Sequence, residues 1–195
     1  MHEPTRNEPK RSKTIKYVHR EVPQINLPEY HGARSKALIP DTLDLAERAA
    51  LAIHGITAPT NEELDYEIYF IAQFNYNPPT MFHSMSDHVF AKLCEALPLL
   101  RLMSGSELDR HVEKRWLEVL LQSRLPSGTL ASPLEGRPWG RPGPTTTGGG
   151  WSGDPKGNQL VDTNHNGNAL AAISVYSQLG DKDFWSEICA RISFY

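Results

Sequence analysis

The sequence predicts an all-α protein in which an extended N-terminal arm precedes a series of helices. Apolar residues recur at helical spacing in five stretches after residue 41. Segments rich in proline and glycine separate those stretches. Residues 1–40 hold many charges and several prolines without sustained periodicity, which is typical of an extended or disordered arm.

The first helix is expected to begin at Asp41, whose side chain can cap it, while Asp44 adds negative charge near the helix N-terminus. Gly55 offers a stop. The apolar residues between them repeat at helical spacing: Leu43, Ala46, Ala50 and Ile53. Residues 64–70 fit either an extended segment or a short aromatic-rich helix, and residues 75–79 (NYNPP) break regular structure.

A second helix is expected to open at Ser84 or Ser86 and to be kinked at Pro98. Its buried stripe comprises Val89, Phe90, Leu93, Cys94, Leu97 and Leu100. After Gly105, residues 106–109 (SELD) resemble a capping box that starts a third helix. The apolar face of that helix comprises Leu108, Val112, Trp116, Val119 and Leu120. Because the connection is short, the two helices should form an antiparallel hairpin.

Residues 123–167 are dense in glycine, proline and threonine and are expected to be irregular. Helices return at residues 168–179 and again from Asp181, with Phe184, Trp185 and Ile188 on the apolar face of the last one. That last helix carries no stop signal before Tyr195. We therefore expect residues 41–195 to be the N-terminal portion of a larger helical domain, truncated at its C-terminus.

Composition restricts the possible partners. A net charge of −3 and a pI near 6.2 give no field that would attract nucleic acid. The chain has no apolar run of roughly 18 residues and no signal-like apolar core, so we expect no membrane partner and a cytoplasmic location. Cys94 and Cys189 fall on apolar helix faces and are expected to be buried thiols. No cofactor is expected.

The segment from Pro133 to Gly140 (PLEGRPWG) is the first candidate for chemistry. The Trp139 indole can stack on a sugar ring, and the Arg137 guanidinium can donate directed bonds to hydroxyl oxygens. Glu135 can accept hydroxyl protons or act as an acid or base. In the alternative interpretation, Trp139 fills a gap in the helical surface and the two charged residues form a solvated ion pair of little energetic value.

Asp65 and Glu67 are the second candidate, because two carboxylates lie among Tyr66, Tyr69 and Phe70. An aromatic setting can raise the pKa of one carboxylate and leave the other ionised, as in a hydrolase. In a strand the two side chains would share a face, whereas in a helix they would lie on opposite flanks. The alternative interpretation is a set of helix-start charges beside an aromatic core.

Two polar clusters are poor metal sites. His83 and Asp87 can share a helix face, but His88 points about 100° away from Asp87, so capping is the simpler role. Residues 162–167 (DTNHNG) copy the first half of a calcium loop. The position that requires a bidentate glutamate is occupied by Ile173, so Asx-turns that lead into a helix explain the segment better. We expect no bound metal.

Several motifs in this order resemble microbial proteins of the six-hairpin glycosidase-like class. The similar stretches are residues 39–51 (IPDTLDLAERAAL), 65–70 (DYEIYF), 77–79 (NPP), 95–98 (EALP), 133–139 and 167–168. Residues 39–51 are the specific match, whereas NPP and EALP alone would be weak. The resemblance runs from about Ala33 to Gly180.

The resemblance implies an (α/α) toroid of six helical hairpins, of which this chain would supply the N-terminal part. It also implies a glycoside-hydrolase-like function in carbohydrate metabolism, in an active protein or in an inactive fragment, with an oligosaccharide or polysaccharide as substrate. We expect Asp65, Glu67 and Glu135 to be catalytic and Tyr66, Arg137 and Trp139 to bind sugar. The alternative is a non-catalytic carbohydrate-binding or scaffolding protein. An open toroid would leave an apolar edge through which the chain can self-associate.

Overall fold

The described part of this computed structural model is mainly helical. It comprises residues 15–31, 44–74, 80–84, 88–133, 152–153, 159–161 and 163–193. Its five α-helices are α1 (Leu45–Thr57), α2 (His88–Ser104), α3 (Arg110–Gln122), α4 (Thr163–Leu179) and α5 (Lys182–Ser193). Within these ranges, no helix is long and apolar enough to cross a membrane. The helical class predicted from periodicity is confirmed at this coarse level.

Helix α2 lies at the centre of the packing. It contacts α1 and α4, and α4 in turn contacts α5. Against α3 it makes side-chain contacts at two levels, with Arg101 bonded to Glu113 and the Phe90 ring 5.4 Å from the Trp116 ring. These contacts make α2 and α3 neighbours in the fold, while their antiparallel arrangement stays a prediction from the short connection.

A small antiparallel sheet interrupts the helices after α1. Its strands are β1 (Thr60–Asn61), β2 (Glu67–Gln73) and β3 (Thr80–Ser84), in that spatial order, with a 3₁₀ turn at Glu62–Leu64 between the first two. The register of β2 against β3 shifts between Tyr69 and Ile71, which marks a β-bulge. The extended alternative for residues 64–70 is therefore the one observed from Glu67 onward.

A second sheet lies in the segment that was predicted to be irregular. Strands β4 (Ala131–Pro133), β5 (Ser152–Gly153) and β6 (Gln159–Val161) pair antiparallel in the order β4–β6–β5. Helix α4 begins at Thr163 rather than at Asn168. The prediction of an irregular stretch up to Gly167 is therefore wrong at these positions, because strand pairing and tertiary contacts supply order that local composition does not encode.

The N-terminal arm is packed on α3 over residues 15–31. The backbone amide of His19 donates to the carbonyl of Gln122 (2.9 Å), and Nη2 of Arg110 donates to the carbonyl of Pro28 (2.9 Å). The arm thus runs antiparallel to α3, and its Ile25 is only 2% exposed. Residues 15–31 contain no helix or strand, and Ile25 belongs to the hydrophobic core cluster.

The helix ends differ from the sequence prediction in detail. Asp44 is the N-cap of α1, where its Oδ1 accepts from the amides of Ala46 and Glu47, while Asp41 lies outside the described residues. Helix α1 continues through Gly55 to Thr57. Ser84 is the last residue of β3 and α2 begins at His88, while the other predicted start, Ser86, lies outside the described residues.

The start of α3 is not the predicted capping box. Asp109 is its N-cap in the left-handed conformation (φ 53°), with no side-chain bond to the helix amides. Its Oδ2 accepts a hydrogen bond from the Thr57 hydroxyl on α1 instead (2.8 Å). The predicted apolar face of α3 is buried at Val112, Trp116, Val119 and Leu120, but Leu108 precedes the helix and is 44% exposed.

Candidate functional site

The predicted carboxylate pair lies in a strained turn that leads into β2. Asp65 (φ 57°, ψ 35°) and Tyr66 (φ 60°) are both in the left-handed region, which few non-glycine residues adopt. The amide of Tyr66 donates to the carbonyl of Asn61 (2.8 Å), which closes the turn. Residues held in such conformations cost free energy of roughly 1–3 kcal/mol each and are often found at functional sites.

Asp65 is held by a cation from α3. Nε of Arg115 donates to Oδ1 of Asp65 (3.0 Å), and the same guanidinium bonds Glu118 (2.8 Å) and Gln122 (2.9 Å). Burial lowers the pKa of Arg115, but the hydrogen bond and negative charge of Asp65 outweigh it, so the pKa is raised overall. Arg115 is therefore a permanent positive charge next to the first carboxylate.

Tyr66 is fixed through both its backbone and its ring. The indole Nε1 of Trp116 donates to the Tyr66 carbonyl (2.8 Å), and the Tyr66 ring meets His111 edge-on at 5.4 Å. Burial, followed by the negative charges of Glu62 and Asp109, raises the pKa of Tyr66 to about 12. The phenol is therefore neutral at physiological pH and can act as a hydrogen-bond donor.

Glu67 is the first residue of β2 and is fully buried, with 0% of its surface exposed. Asp65 is nearly as inaccessible, at 2%. The structure thus brings together three of the predicted site residues, Asp65, Tyr66 and Glu67. It places both carboxylates inside the protein and not on an open surface.

The other predicted site residues lie outside the described residues. These are Glu135, Arg137 and Trp139, which follow the end of β4 at Pro133. The same holds for Asp87 of the first metal candidate and Asp162 of the second. Thr163–Gly167 is helical, so it does not form the loop that calcium would require. Among the residues that the structure describes, no three His, Cys, Asp or Glu side chains form a metal-binding group.

A second buried polar cluster surrounds Glu113 on α3, whose side chain is 1% exposed. Its Oε1 accepts from the hydroxyls of Tyr30 (2.5 Å) and Tyr176 (2.8 Å), and its Oε2 accepts from Nε of Arg101 (2.5 Å). Tyr176 also lies 3.3 Å from the carbonyl of Cys94. The Glu113 cluster therefore joins the arm, α2, α3 and α4 around one carboxylate.

The Glu113 cluster keeps its phenols and the neighbouring thiol protonated. Burial raises the pKa of Tyr176 and of Cys94, and the charge of Glu113 raises both further. Burial and Glu113 also raise the pKa of Tyr30. Because the carboxylate is saturated by donors from the protein itself, this cluster is suited to holding elements together rather than to proton transfer.

Neither Arg115 nor the Glu113 cluster was predicted from the sequence. Glu113 and Arg115 flank the apolar stripe of α3, where charged residues normally face solvent. Asp65 lies 50 residues from Arg115, and Tyr30 and Tyr176 lie 83 and 63 residues from Glu113, so local spacing carries no sign of these contacts. The one available signal was the position of Arg115 directly beside the core residue Trp116.

Comparison of the chain with protein-family models, with curated proteins and with solved structures found no match.

Proposed function

We propose that this chain is a glycoside-hydrolase-like protein of carbohydrate metabolism, built on helical hairpins of the six-hairpin glycosidase-like class. The observation that carries the proposal is the immobilised Asp65–Glu67 turn. It holds two carboxylates and a tyrosine within three residues, in a strained conformation fixed by Arg115 and Trp116. Strain that the surrounding structure maintains is a common property of catalytic and ligand-binding segments.

The proposed chemistry is that of two carboxylates on either side of a glycosidic bond. Glu135 is the proposed base or hydrogen-bond acceptor, since Arg137 two residues later would favour its ionised form if the two side chains lie close together. The acid would come from Asp65 or Glu67, which flank Tyr66 in the chain. Tyr66, Arg137 and Trp139 are the proposed sugar contacts, with the indole as the stacking surface.

A non-catalytic carbohydrate-binding or scaffolding protein is the second candidate. The burial of Asp65 and Glu67 favours it, because a general acid must come within hydrogen-bond reach of the atom it protonates. In this alternative the turn is structural, and Arg137 and Trp139 still hold the sugar.

Two substitutions separate the candidates when they are measured on a panel of labelled neutral oligosaccharides. Trp139→Ala should weaken sugar binding by about 1–2 kcal/mol with little change in thermal stability, if the indole stacks on the ring. Glu67→Gln should abolish turnover and spare binding, if that carboxylate does the chemistry. Glu63→Gln is the matched control, because Glu63 is an exposed carboxylate in the same segment.

The outcomes differ between the two candidates. Binding that is sensitive to Trp139→Ala, with no turnover in any variant, supports the non-catalytic protein. If Trp139→Ala destabilises the chain but the folded variant binds sugar with unchanged affinity, the indole is a core residue and not a sugar contact. A Glu67→Gln protein that turns over substrate as fast as Glu63→Gln excludes Glu67 from catalysis.

A further inference from the structure

The segment that copies the first half of a calcium loop contains the one Asn–Gly pair of the sequence, Asn166–Gly167. Glycine has no side chain, so its backbone nitrogen can approach the side-chain carbonyl carbon of the residue before it. At such a pair the nitrogen can attack that carbon and displace ammonia. By its sequence, the Asn166–Gly167 pair is therefore the place in the chain where an asparagine is most easily converted to an acid.

The Asn166–Gly167 pair lies on a side of α4 that is open to solvent. Gly167 is exposed, and a Cβ atom added to it would meet nothing within 4 Å beyond its own helix and its chain neighbours. Asn166 is half-buried, since its side chain reaches the backbone of Leu130. Water therefore reaches the peptide bond between the two residues, although the asparagine side chain is held by the protein.

The folded conformation blocks the attack at two points. Oδ1 of Asn166 accepts from the Leu130 amide (2.6 Å) and Nδ2 donates to the Leu130 carbonyl (2.9 Å), so the carboxamide is held against Leu130. Because α4 begins at Thr163, the amide of Gly167 donates to the carbonyl four residues earlier in the helix. Both sets of bonds must open before the Gly167 nitrogen can reach Cγ of Asn166.

The first turn of α4 is where this opening is easiest. The first amides of a helix lack intrahelical acceptors, and helix ends open at a lower free energy than helix centres. Glycine weakens the turn further, because it gains more backbone freedom on unwinding than any other residue. Gly167 thus destabilises the same turn that must open before it can react.

We propose that Asn166 is a site of spontaneous deamidation, which is reached when the first turn of α4 opens. The Gly167 nitrogen loses its proton to solvent base and bonds to Cγ of Asn166, the Cγ–Nδ2 bond breaks, and Nδ2 takes up a proton and leaves as ammonia. Water then adds to one of the two carbonyl carbons of the succinimide ring and breaks the adjacent C–N bond. The product is aspartate or isoaspartate at position 166, and water is the only co-reactant.

Deamidation makes the opening of this turn permanent. An aspartate at position 166 has no donor for the Leu130 carbonyl, and its charge repels that oxygen. An isoaspartate lengthens the main chain by one carbon, which disrupts the regular hydrogen bonds of a helix. Leu130 is 2% exposed and directly precedes β4, so the modification loosens α4 from a buried part of the chain. This inference is independent of the proposed carbohydrate function.

The test is peptide mapping by mass spectrometry of the full chain during incubation in mildly alkaline buffer, both folded and in concentrated urea. In the unfolded chain we expect Asn166 to be converted faster than any other asparagine. In the folded chain we expect conversion that is measurable but at least about tenfold slower, because only the opened fraction reacts. Urea below the unfolding transition should raise the folded rate, since opening of the turn exposes surface.

Two glycine substitutions separate the chemistry from the opening. Gly167→Ala has room for its Cβ atom and should slow conversion of Asn166 at least about tenfold in the unfolded chain, because the methyl group hinders the attacking nitrogen. Gly55→Ala is the matched control, since Gly55 is an exposed glycine of α1 whose added Cβ atom also meets nothing within 4 Å. It should leave the rate at Asn166 unchanged in both states, because the opening is confined to α4.

Amide hydrogen exchange measures the consequence. The deamidated chain carries one more negative charge, so ion exchange separates it from the unreacted chain. The Gly167 amide should exchange about fivefold faster or more in the deamidated chain, because the turn has lost its bond to the Leu130 carbonyl. The Ala58 amide, which is bonded to His54 at the end of α1, should exchange at an unchanged rate.

Each part of the proposal can fail separately. If Asn166 is converted no faster than other asparagines in the unfolded chain, the site is wrong. Equal rates in the folded and unfolded chains, or no conversion in the folded chain while the unfolded chain reacts completely, contradict control by opening of the turn. A folded-state rate that Gly55→Ala lowers as far as Gly167→Ala shows that global unfolding is responsible. Unchanged exchange at Gly167 after deamidation contradicts the permanent opening.

Discussion

Arg115 on α3 donates from Nε to Oδ1 of Asp65 across 3.0 Å, and the two side chains are only 7% and 2% exposed. The pair joins a helix to a turn that lies 50 residues earlier in the chain. Because neither charge is screened by water, the pair differs in kind from the more exposed pair that Arg110, at the start of α3, forms with Glu107, which precedes the helix. The loss of stability on removing one carboxylate can therefore be compared between the buried pair and the more exposed pair.

Removal of the buried carboxylate should be costly. We expect Asp65→Ala to lower the free energy of unfolding by about 3 kcal/mol, because it leaves the Arg115 guanidinium buried with one acceptor fewer. Alanine is also a poor residue for a left-handed φ of 57°. Glu107→Gln is the matched control and should cost less than about 1 kcal/mol. Urea unfolding measures both values, and equal losses in the two variants would contradict a special role for the buried pair.

The Glu113 cluster predicts instability at alkaline pH. Burial and the charge of Glu113 raise the pKa of Tyr176 in the folded protein. The stabilisation that this gives is complete below the unfolded pKa near 10, and it is lost as the pH rises towards the folded value. Between pH 10 and pH 11 the unfolded phenol ionises while the buried phenol stays protonated, so the loss from Tyr176 should be on the order of 1 kcal/mol.

The variant Tyr176→Phe tests whether Tyr176 causes the loss of stability at alkaline pH. Tyr176→Phe should unfold more easily at pH 8, because Glu113 loses a donor, yet its stability should fall less steeply between pH 10 and pH 11. Tyr69→Phe serves as the control, since Tyr69 is 39% exposed. Urea unfolding at several pH values gives the slopes. Identical slopes for the wild type and Tyr176→Phe would remove Tyr176 from the explanation.

Near the start of α4, the side chain of Asn166 forms two hydrogen bonds with the backbone of Leu130, as a neighbouring strand would. Asn166 accepts from the Leu130 amide through Oδ1 (2.6 Å) and donates to the Leu130 carbonyl through Nδ2 (2.9 Å). Asn166→Asp keeps the acceptor but removes the donor, so we expect a loss of about 1–3 kcal/mol in thermal or urea unfolding. Gln178→Glu, an exposed change on the same helix, should have almost no effect. A stable Asn166→Asp protein would mean that the Leu130 carbonyl finds another donor.

Periodicity predicted the helical core well because it is a local property. The buried face of α3 follows from the spacing of Val112, Trp116 and Val119, and Cys94 is buried on the stripe that was predicted for α2. Helix ends were less well predicted. The cap of α1 is Asp44 rather than Asp41, since both residues have suitable side chains and only the tertiary structure chooses between them.

The buried charges are the part that the sequence does not predict. Arg101 and Glu113 are 0% and 1% exposed, although such residues normally face solvent. The buried Glu113 carboxylate accepts from Arg101 and from the hydroxyls of Tyr30 and Tyr176, and the fold brings the two tyrosines to it from distant parts of the chain. At the candidate site, the carboxylates of Asp65 and Glu67 were identifiable by type. The burial of these carboxylates and the contact of Asp65 with Arg115 could not be predicted, because both depend on the tertiary structure.

Exposed apolar side chains on α2 and on α1 predict self-association. Leu99, Leu102 and Met103 lie at positions i, i+3 and i+4 of α2 and are 46%, 38% and 49% exposed, so they form one uncovered stripe. On α1, which packs against α2, Leu45 and Leu51 are also more than half exposed. Apolar surface of this kind on a helical face favours association with a second apolar surface.

Polar substitution of the stripe should therefore change association without changing the fold. We expect the wild-type chain to bind a hydrophobic dye or to sediment as a concentration-dependent oligomer. Leu99→Lys combined with Met103→Glu should reduce both signals, while the free energy of unfolding changes by no more than about 1 kcal/mol, because exposed side chains contribute little to the core. Lys182→Gln on α5 is the control that should retain the wild-type behaviour. A wild-type chain that sediments as a single monomeric species and binds no dye would contradict the prediction.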